Sequence, residues 1–237
     1  MIGPWIRKLE RLGTLSDKDR WMLEALPLTV RQIEADRDLV HDGACISQCT
    51  LLIEGFACRY KSLQDGRRQI VAFHIPGDVV DLPGLLLGEM DYGIGTLTPA
   101  KVALIPHATV SGWTRTHPGL MRLLWRDTLI EAAMFREWMV NVGRRTARER
   151  TAHLLCELVM RLRAAGFARG YACDLPITQV ELADALGLSN VHVNRTLQEL
   201  RGDGLIDLGG GILVVRDWDR LEAAAEFDPR YLHRLAV

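Results

Sequence analysis

The sequence lacks the features of a membrane protein, a secreted protein or a disulfide-stabilised protein. None of its apolar runs approaches the roughly 18 residues that are needed to cross a bilayer. The opening segment 1–20 has no apolar centre of the kind that a signal peptide requires. The five cysteines are an odd number, which favours free thiols over a disulfide framework. We therefore expect a cytoplasmic protein with no membrane partner.

The chain also has almost no net charge and no recognisable set of metal ligands. A formal net charge of -1 excludes a surface that is basic all over, but it does not say where the charges lie. Residues 141–170 contain seven arginines and two glutamates, so positive charge is concentrated there. Cys45 and Cys49 form a C-x3-C pair that can sense oxidants or hold a metal. No second Cys or His pair has zinc or iron-sulfur spacing, so we interpret the two as small residues near a strand turn.

The chain length and composition indicate a globular protein with two domains. A chain of 237 residues exceeds the usual size of a single core. An apolar content of 48% excludes wholesale disorder. Between about Thr29 and Ile105, short β-rich runs alternate with glycines, and "TLLIEGFACRYKSLQDGRRQIVAFHIPGDVV" predicts three strands with an Asp-Gly turn and a Pro-Gly-Asp turn. This region predicts a β-roll or barrel, and we place a first domain at 1–117.

After Pro106 the pattern becomes helical, with a short helix to about Thr116 and a long helix from Pro118. A helix of 25 residues spans roughly 37 Å, which suits a dimer spine. One apolar stripe, predicted to be the dimer interface, contains Met121, Leu124, Thr128, Ala132, Phe135, Met139 and Val142. A second side carries Leu123, Ile130, Met134 and Trp138. The alternative is a helix buried inside one large core. We assign 118–146 to the dimerisation helix and the domain boundary at its end, and 147–237 to a last domain.

Within the last domain, "ITQVELADALGLSNVHVNRTLQEL" predicts two short helices joined by a tight turn. Thr178 and Glu181 have capping-box spacing, and the first helix has an apolar face of Val180, Leu182, Ala183 and Leu186. Gly187 suits the turn, and Ser189 caps a second helix whose Val193, Leu197 and Leu200 face inward. Such a pair is a helix-turn-helix. "GLIDLGGGILVV" then predicts a hairpin, which makes a winged version.

In a helix-turn-helix, the front of the second helix meets base edges in the DNA major groove. Arg fits guanine with two hydrogen bonds, Asn can pair with adenine, and Val can contact a thymine methyl group. The predicted DNA-binding residues are Thr178, Ser189, Asn190, Val191, His192, Asn194 and Arg195. Arg144, Arg145, Arg148 and Arg201 are candidates for phosphate contacts.

These motifs together resemble the Crp/Fnr superfamily of bacterial transcription regulators. The segments that carry the resemblance are "DGRRQIVAFHIPGDVVDL", the helix from Pro118, "GRRTARERTAHLLCEL" and "ITQVELADALGLSNVHVNR". The resemblance implies an α+β fold with a cyclic-nucleotide-binding-like β-roll, a long dimerisation helix and a C-terminal winged helix-turn-helix. It also implies a homodimer that reads a palindromic operator, a hinge at Arg144 to Thr146, and RNA polymerase as a partner.

The sequence departs from this family at the effector site. Counted from Gly77 and Asp78, the ribose-binding Glu of the family falls on Leu82 and its phosphate-binding Arg falls on Tyr92. A buried cyclic phosphate with no positive partner carries a large desolvation cost, so we do not expect the usual response to cyclic AMP. The candidate effector pocket, apolar or filled by its own side chains, consists of Leu82, Leu85, Leu86, Tyr92, Phe135 and Trp138.

No cofactor is predicted, and the effector is unknown. The iron-sulfur branch of the family uses cysteines near the N-terminus, whereas the first 44 residues here contain none. Haem-binding relatives leave His41, His74 and His107 as candidates, although a lone His is more often a surface or core residue. In the reading helix, Val191 stands where several relatives carry Glu, and similar Val-plus-Arg helices occur in nitrogen-control regulators that read TGTA-like half-sites. Arg195 matches the base-reading Arg of the family.

Two other function classes fit the sequence less well. A cupin-like enzyme needs clustered metal ligands, and His74 has no such neighbour in the sequence, so we expect no enzyme. A ligand or redox sensor that acts through protein contacts without binding DNA is the alternative, and the intact caps and Arg195 count against it.

Overall fold

The structure, a computed structural model, describes residues 1–236, with side chains described to residue 233. The chain divides into two compact units. The first consists of residues 1–67 and 72–131, and the second of residues 68–71 and 132–237. Among the described residues, no helix is both long enough and apolar enough to span a bilayer.

The β-roll predicted for the N-terminal half is present. Its strands are β1 (Thr29–Ile33), β2 (Asp38–Val40), β3 (Gln48–Glu54), β4 (Ala57–Ser62), β5 (Arg68–His74), β6 (Gly93–Thr96) and β7 (Ala100–Pro106). They form two sheets with the strand orders β1-β7-β3 and β2-β6-β4-β5. Both predicted turns lie between strands, since Asp65 and Gly66 join β4 to β5 and Gly77 follows β5. A Cβ atom at Gly77 would lie 2.9 Å from the backbone carbon of Pro4, so only glycine fits there.

Apolar side chains fill the space between the two sheets. The cluster contains Val40, Leu52, Ala57, Val80, Met90, Tyr92, Ile94, Ala100 and Val102. Two helices that the sequence analysis did not predict precede the strands, α1 (Gly3–Leu12) and α2 (Asp17–Glu24). The helix α1 buries Trp5, Ile6, Leu9 and Leu12 at helical spacing, so its apolar face packs against the unit.

Three helices follow within or after the strands, α3 (Gly84–Leu87), α4 (His107–Thr116) and α5 (Pro118–Arg144). The short and the long helix after the β-roll are therefore confirmed, and α5 begins at the proline that was predicted to start it. The second side of α5 is buried at Leu123, Ile130, Met134 and Trp138.

The second unit is built around α6 (Ala147–Ala165), whose first turn is held by a capping box of Thr146 and Glu149. Around it lie β8 (Ala168–Arg169), β9 (Ala172–Asp174), α7 (Gln179–Leu186), α8 (Asn190–Gly202), β10 (Ile206–Gly209), β11 (Ile212–Val215), α9 (Trp218–Ala225) and a 3₁₀ segment (Pro229–Ala236). The predicted hairpin is confirmed as β10 and β11. Before Pro176, the two strands β8 and β9, which the sequence analysis did not predict, extend the hairpin to the order β10-β11-β9-β8.

Buried polar side chains connect α5, α6 and the C-terminal segment inside this unit. Glu157 of α6 is fully buried and accepts hydrogen bonds from Trp138 Nε1 at 3.0 Å and from the Tyr231 hydroxyl at 2.8 Å. Asn141 Nδ2 lies 3.0 Å from Nδ1 of the buried His153. Burial, together with the positive charge of Arg145, lowers the pKa of His153 to about 3. His153 is therefore neutral in the folded chain at neutral pH.

Candidate nucleic-acid interface

The start of α7 is fixed by reciprocal hydrogen bonds. The backbone N–H of Glu181 donates to Thr178 Oγ1 at 3.3 Å, and the backbone N–H of Thr178 donates to Glu181 Oε2 at 2.6 Å. The predicted capping box is therefore present. The helix ends at Gly187, whose φ of +62° lies in the left-handed region that glycine adopts without strain.

The helix α8 begins directly after this turn. The backbone N–H of His192 donates to Ser189 Oγ at 3.2 Å, so Ser189 caps the helix as predicted. Its inner face is buried at Val193, Leu197 and Leu200, again as predicted, and also at Thr196. The first helix of the pair differs at one position, since Leu182, Ala183 and Leu186 are buried but Val180 is exposed.

The front of α8 carries the predicted reading residues on its outer side. Asn190, Val191 and Arg195 are exposed, with Val191 at 81% of its possible surface, while His192 and Asn194 are half-buried. Thr178 and Ser189 are exposed, and their hydroxyl groups serve the helix caps. Arg195 Nε lies 3.7 Å from Glu199 Oε1, an exposed pair of the kind that contributes little.

One polar contact at this surface was missed by the sequence analysis. Asn194 Nδ2 donates a hydrogen bond to Oε1 of Gln179, the first residue of α7, at 2.9 Å. The sequence signal was the position of Gln179 itself. An uncharged polar residue in the first turn of the first helix lies beside the second helix in a helix-turn-helix.

The wing lies next to α8. Gly210 and Gly211 join β10 to β11, with φ values of +59° and +77°. Arg201 of α8 donates a hydrogen bond to the backbone carbonyl of Leu208, so the wing is attached to the helix.

The four arginines suggested for phosphate contacts differ in their surroundings. Arg144 is exposed, whereas Arg145 donates hydrogen bonds to Glu137 and Asn141 at 2.7 and 2.8 Å. Arg148 Nη2 lies 2.6 Å from Asp203 Oδ2, and Arg201 contacts the wing. Arg145 is largely buried, so it serves the packing of α5 rather than the surface.

The exposed side of α5 is apolar, but the residues at the middle of this side are not those of the predicted stripe. Leu124 is buried and retains only 2% of its surface. The next residue, Trp125, is 61% exposed, and Leu129 is 65% exposed. Further along, Met139 and Val142 are exposed as expected, together with Val140. The other predicted stripe residues, Met121, Thr128, Ala132 and Phe135, are half-buried.

The predicted effector residues are spread over different surroundings. Leu86 is exposed, and Leu82 and Leu85 are half-buried. Tyr92 is buried in the β-roll core with the Arg59 guanidinium 4.2 Å above its ring, and Arg59 Nη2 forms a 3.0 Å ion pair with Glu131. Phe135 and Trp138 belong to the second unit, where Trp138 contacts Glu157.

The cysteines are free thiols, and only Cys45 is exposed. Burial, and to a lesser degree Asp81, raise the pKa of the Cys49 thiol to about 12, which keeps it protonated and poorly nucleophilic. His41 is exposed, His107 is half-buried, and His74 is buried with its Nδ1 3.7 Å from Asp78 Oδ2. Across residues 1–233, no three His, Cys, Asp or Glu side chains are grouped closely enough to hold a metal ion.

A β-roll linked by a long helix to a capped, outward-facing winged helix-turn-helix defines a DNA-binding regulator with a sensor domain. The cyclic nucleotide-binding domain model matches residues 30–117, and the Crp-like helix-turn-helix domain model matches residues 149–224. The chain belongs to the Crp/Fnr family of transcription regulators.

Relatives and solved structures agree with this assignment. The transcriptional activator protein FnrL of Cereibacter sphaeroides is 30% identical, over 81% of this chain and 78% of its own. The transcriptional activatory protein AadR of Rhodopseudomonas palustris is 31% identical, over 92% of this chain and 91% of its own. The structure of FixK2 from Bradyrhizobium japonicum superposes with a TM-score of 0.75 and 29% identity, covering 84% of this chain and 98% of that one. FnrL and AadR are both named as transcriptional activators.

Proposed function

We propose that this protein is a homodimeric transcription regulator that reads a palindromic DNA site through α8. The observation that carries the proposal is the outward orientation of Asn190, Val191 and Arg195 at the front of a capped helix. Residues at this position enter the major groove in helix-turn-helix proteins, and the two helices of a dimer meet half-sites about one helical turn apart.

Each reading residue has a matching base chemistry. Arg195 would bind guanine O6 and N7, and its weak pairing with Glu199 is easily exchanged for a base. Val191 has no acceptor for cytosine and would contact a thymine methyl group. Asn190 and Asn194 can pair with adenine, and His192 completes the set. Thr178 and Ser189 lie at helix starts, where backbone N–H groups meet phosphates.

We propose that the exposed apolar side of α5 is the dimer interface. Large apolar side chains that face water along one side of a long helix are stabilised when a second helix covers them. Trp125, Leu129 and Met139 would lie at its centre. In this organisation residues 1–117 are the sensor, 118–146 the dimerisation helix and hinge, and 147–237 the DNA-binding domain.

We propose that the sensor does not bind cyclic AMP in the usual way. Tyr92 stands where the resemblance places a phosphate-binding Arg, and the guanidinium of Arg59 above it is already paired with Glu131. A cyclic phosphate there would compete with the Glu131 carboxylate for Arg59, at a large cost in a buried site. The signal that this sensor receives is not assigned.

Because relatives are named as activators, we propose that this protein also activates transcription, through contact with RNA polymerase in the cytoplasm.

A selection from random double-stranded DNA with the full-length chain tests the proposal. We expect enrichment of one palindromic motif, a dimer by native mass spectrometry, and no change in operator affinity when cyclic AMP is added. Recovery of no motif would leave the sensor that acts through protein contacts as the better account. A monomer would contradict the proposed dimer. Tighter operator binding with cyclic AMP would contradict the proposal that the sensor does not respond to it.

A further inference from the structure

The contact between Gln179 and Asn194 assigns a role to a residue outside the predicted reading set. We propose that Gln179 is a positioning residue that holds the Asn194 amide in the orientation that reads adenine. This inference rests on the proposed function, because it concerns how α8 recognises DNA. Its basis is the 2.9 Å hydrogen bond from Asn194 Nδ2 to Gln179 Oε1.

The location of Asn194 on α8 allows its side chain to contact both Gln179 and DNA. It lies one turn into the helix, on the border between the exposed residues Val191 and Arg195 and the buried inner face. It is half-buried because that border faces the start of α7. A side chain at such a border reaches both the neighbouring helix and the groove that the helix front enters.

The partner is itself held in place by the local structure. Gln179 is the first residue of α7, directly after Thr178 in the capping box. Ser189 caps α8 five residues before Asn194, and Gly187 fixes the turn between the helices. The acceptor and the donor are therefore attached to two helix starts that are both anchored by hydrogen bonds.

The hydrogen bond fixes the orientation of the Asn194 side-chain amide. The torsion about a terminal amide is broad and roughly two-fold, so a free asparagine presents its N–H groups or its carbonyl oxygen to a given point. When one N–H is donated to Gln179, the nitrogen side is anchored, and one N–H and the carbonyl oxygen remain for DNA.

One donor beside one acceptor matches adenine. Adenine presents the N7 acceptor and the N6–H donor in the major groove, whereas guanine presents two acceptors, N7 and O6. The fixed carbonyl oxygen of Asn194 would face guanine O6 with no proton between them. Without Gln179 the amide can turn, and discrimination between adenine and guanine falls.

The experiment first locates the base pair that Asn194 reads. The motif is selected with the wild-type chain, and operators carrying each of the four bases at each half-site position are compared by competition binding. The position at which Asn194→Ala abolishes the preference is assigned to Asn194. The wild type should prefer adenine there over guanine by about tenfold, the size expected of a bidentate contact.

Variants of Gln179 then test positioning. Gln179→Ala and Gln179→Met, which lack an acceptor oxygen, should reduce the preference at that same position to less than about threefold, well below a full bidentate contact. Gln179→Glu retains acceptor oxygens and should keep the preference, while its negative charge weakens binding to every operator. Val180→Ala changes an exposed neighbour that has no hydrogen-bonding side chain. This variant should keep both the base preference and the operator affinity of the wild type.

Four results would overturn the inference. If Gln179→Ala and Gln179→Met lower affinity equally for all operators and leave the base preference unchanged, Gln179 is a phosphate contact. A wild-type preference for a base other than adenine at the Asn194 position would contradict the amide geometry. If the wild type selects no motif at all, both the proposed function and this inference are wrong. If the wild type selects a palindromic motif and the Gln179 variants keep the wild-type base preference, only this inference is wrong.

Discussion

The indole N–H of Trp138 donates to Oε2 of Glu157 across 3.0 Å, with both side chains buried. Trp138 belongs to α5 and Glu157 to α6, so the bond joins two helices on either side of the Arg144–Thr146 connection. The Tyr231 hydroxyl donates to the same oxygen at 2.8 Å, and Arg161 Nη1 lies 3.4 Å from the other oxygen. A single carboxylate thus organises this part of the second unit.

We expect Glu157→Ala to lower the free energy of unfolding by about 3 kcal/mol, because removing one partner of a buried charged pair leaves its donors buried without it. Urea unfolding measures the change. Glu157→Gln keeps an acceptor for Trp138 and should cost less, and the exposed Glu199→Ala should stay within about 0.5 kcal/mol of the wild type. A loss below about 1 kcal/mol for Glu157→Ala would show that the pairing is weak.

Stability should depend on pH through His153. The folded-state pKa is lowered to about 3 by burial and by Arg145, from an ordinary value of 6.5. Between these values the unfolded chain binds a proton that the folded chain does not, so stability falls as the pH falls through this window. From about pH 7 to about pH 5.5 the loss from this one group should be about 1 kcal/mol.

Urea unfolding at both pH values, compared between the wild type and His153→Gln, isolates this contribution. The variant should lose less stability on acidification than the wild type does. His117→Gln, which changes an imidazole in a more open place, serves as the control and should leave the pH dependence as it is. Parallel pH profiles for the wild type and His153→Gln would contradict the prediction.

Arg195→Ala should weaken operator binding by about 1–3 kcal/mol and relax the preference for one base pair in each half-site. Arg67→Ala removes the same charge from an exposed β-roll turn, where Arg67 pairs with Asp65, and should leave operator binding unchanged. Competition binding against mismatched operators gives both quantities. If Arg195→Ala binds as tightly and as selectively as the wild type, α8 is not the reading helix.

Leu129→Glu should convert the dimer to a monomer, because it places a charge in the proposed α5 interface. Leu63→Glu makes the same change at another exposed leucine, outside the helix, and should leave the dimer intact. Analytical ultracentrifugation over a concentration series distinguishes the two outcomes. A dimer that survives Leu129→Glu would move the interface elsewhere.

Local signals made much of the fold predictable. The caps at Thr178 and Ser189 each join residues that are three positions apart in the sequence. The sequence alone therefore shows where α7 and α8 begin. The start of α5 at Pro118 and the β10–β11 hairpin were equally local. By contrast, β8 and β9 have two and three residues, too few to show an alternating pattern, and they form because β9 pairs with β11 and β8 pairs with β9.

Tertiary contacts explain what the sequence could not show. Leu124 and Trp125 are both apolar, and only packing within the unit decides which of two neighbours, 100° apart on the helix, faces water. The partner of Asn194 lies 15 residues away in another helix, so no periodicity indicates it. The spread of the predicted effector residues likewise follows from packing, since Tyr92 is covered by Arg59 from a different strand.

The ion pair between Arg59 of β4 and Glu131 also guides the search for a signal molecule. A guanidinium that is already matched by a carboxylate has little positive charge left to offer an anion. A chemical library aimed at this regulator is therefore best weighted toward uncharged compounds, and a phosphate-bearing hit should first be tested against Glu131→Gln.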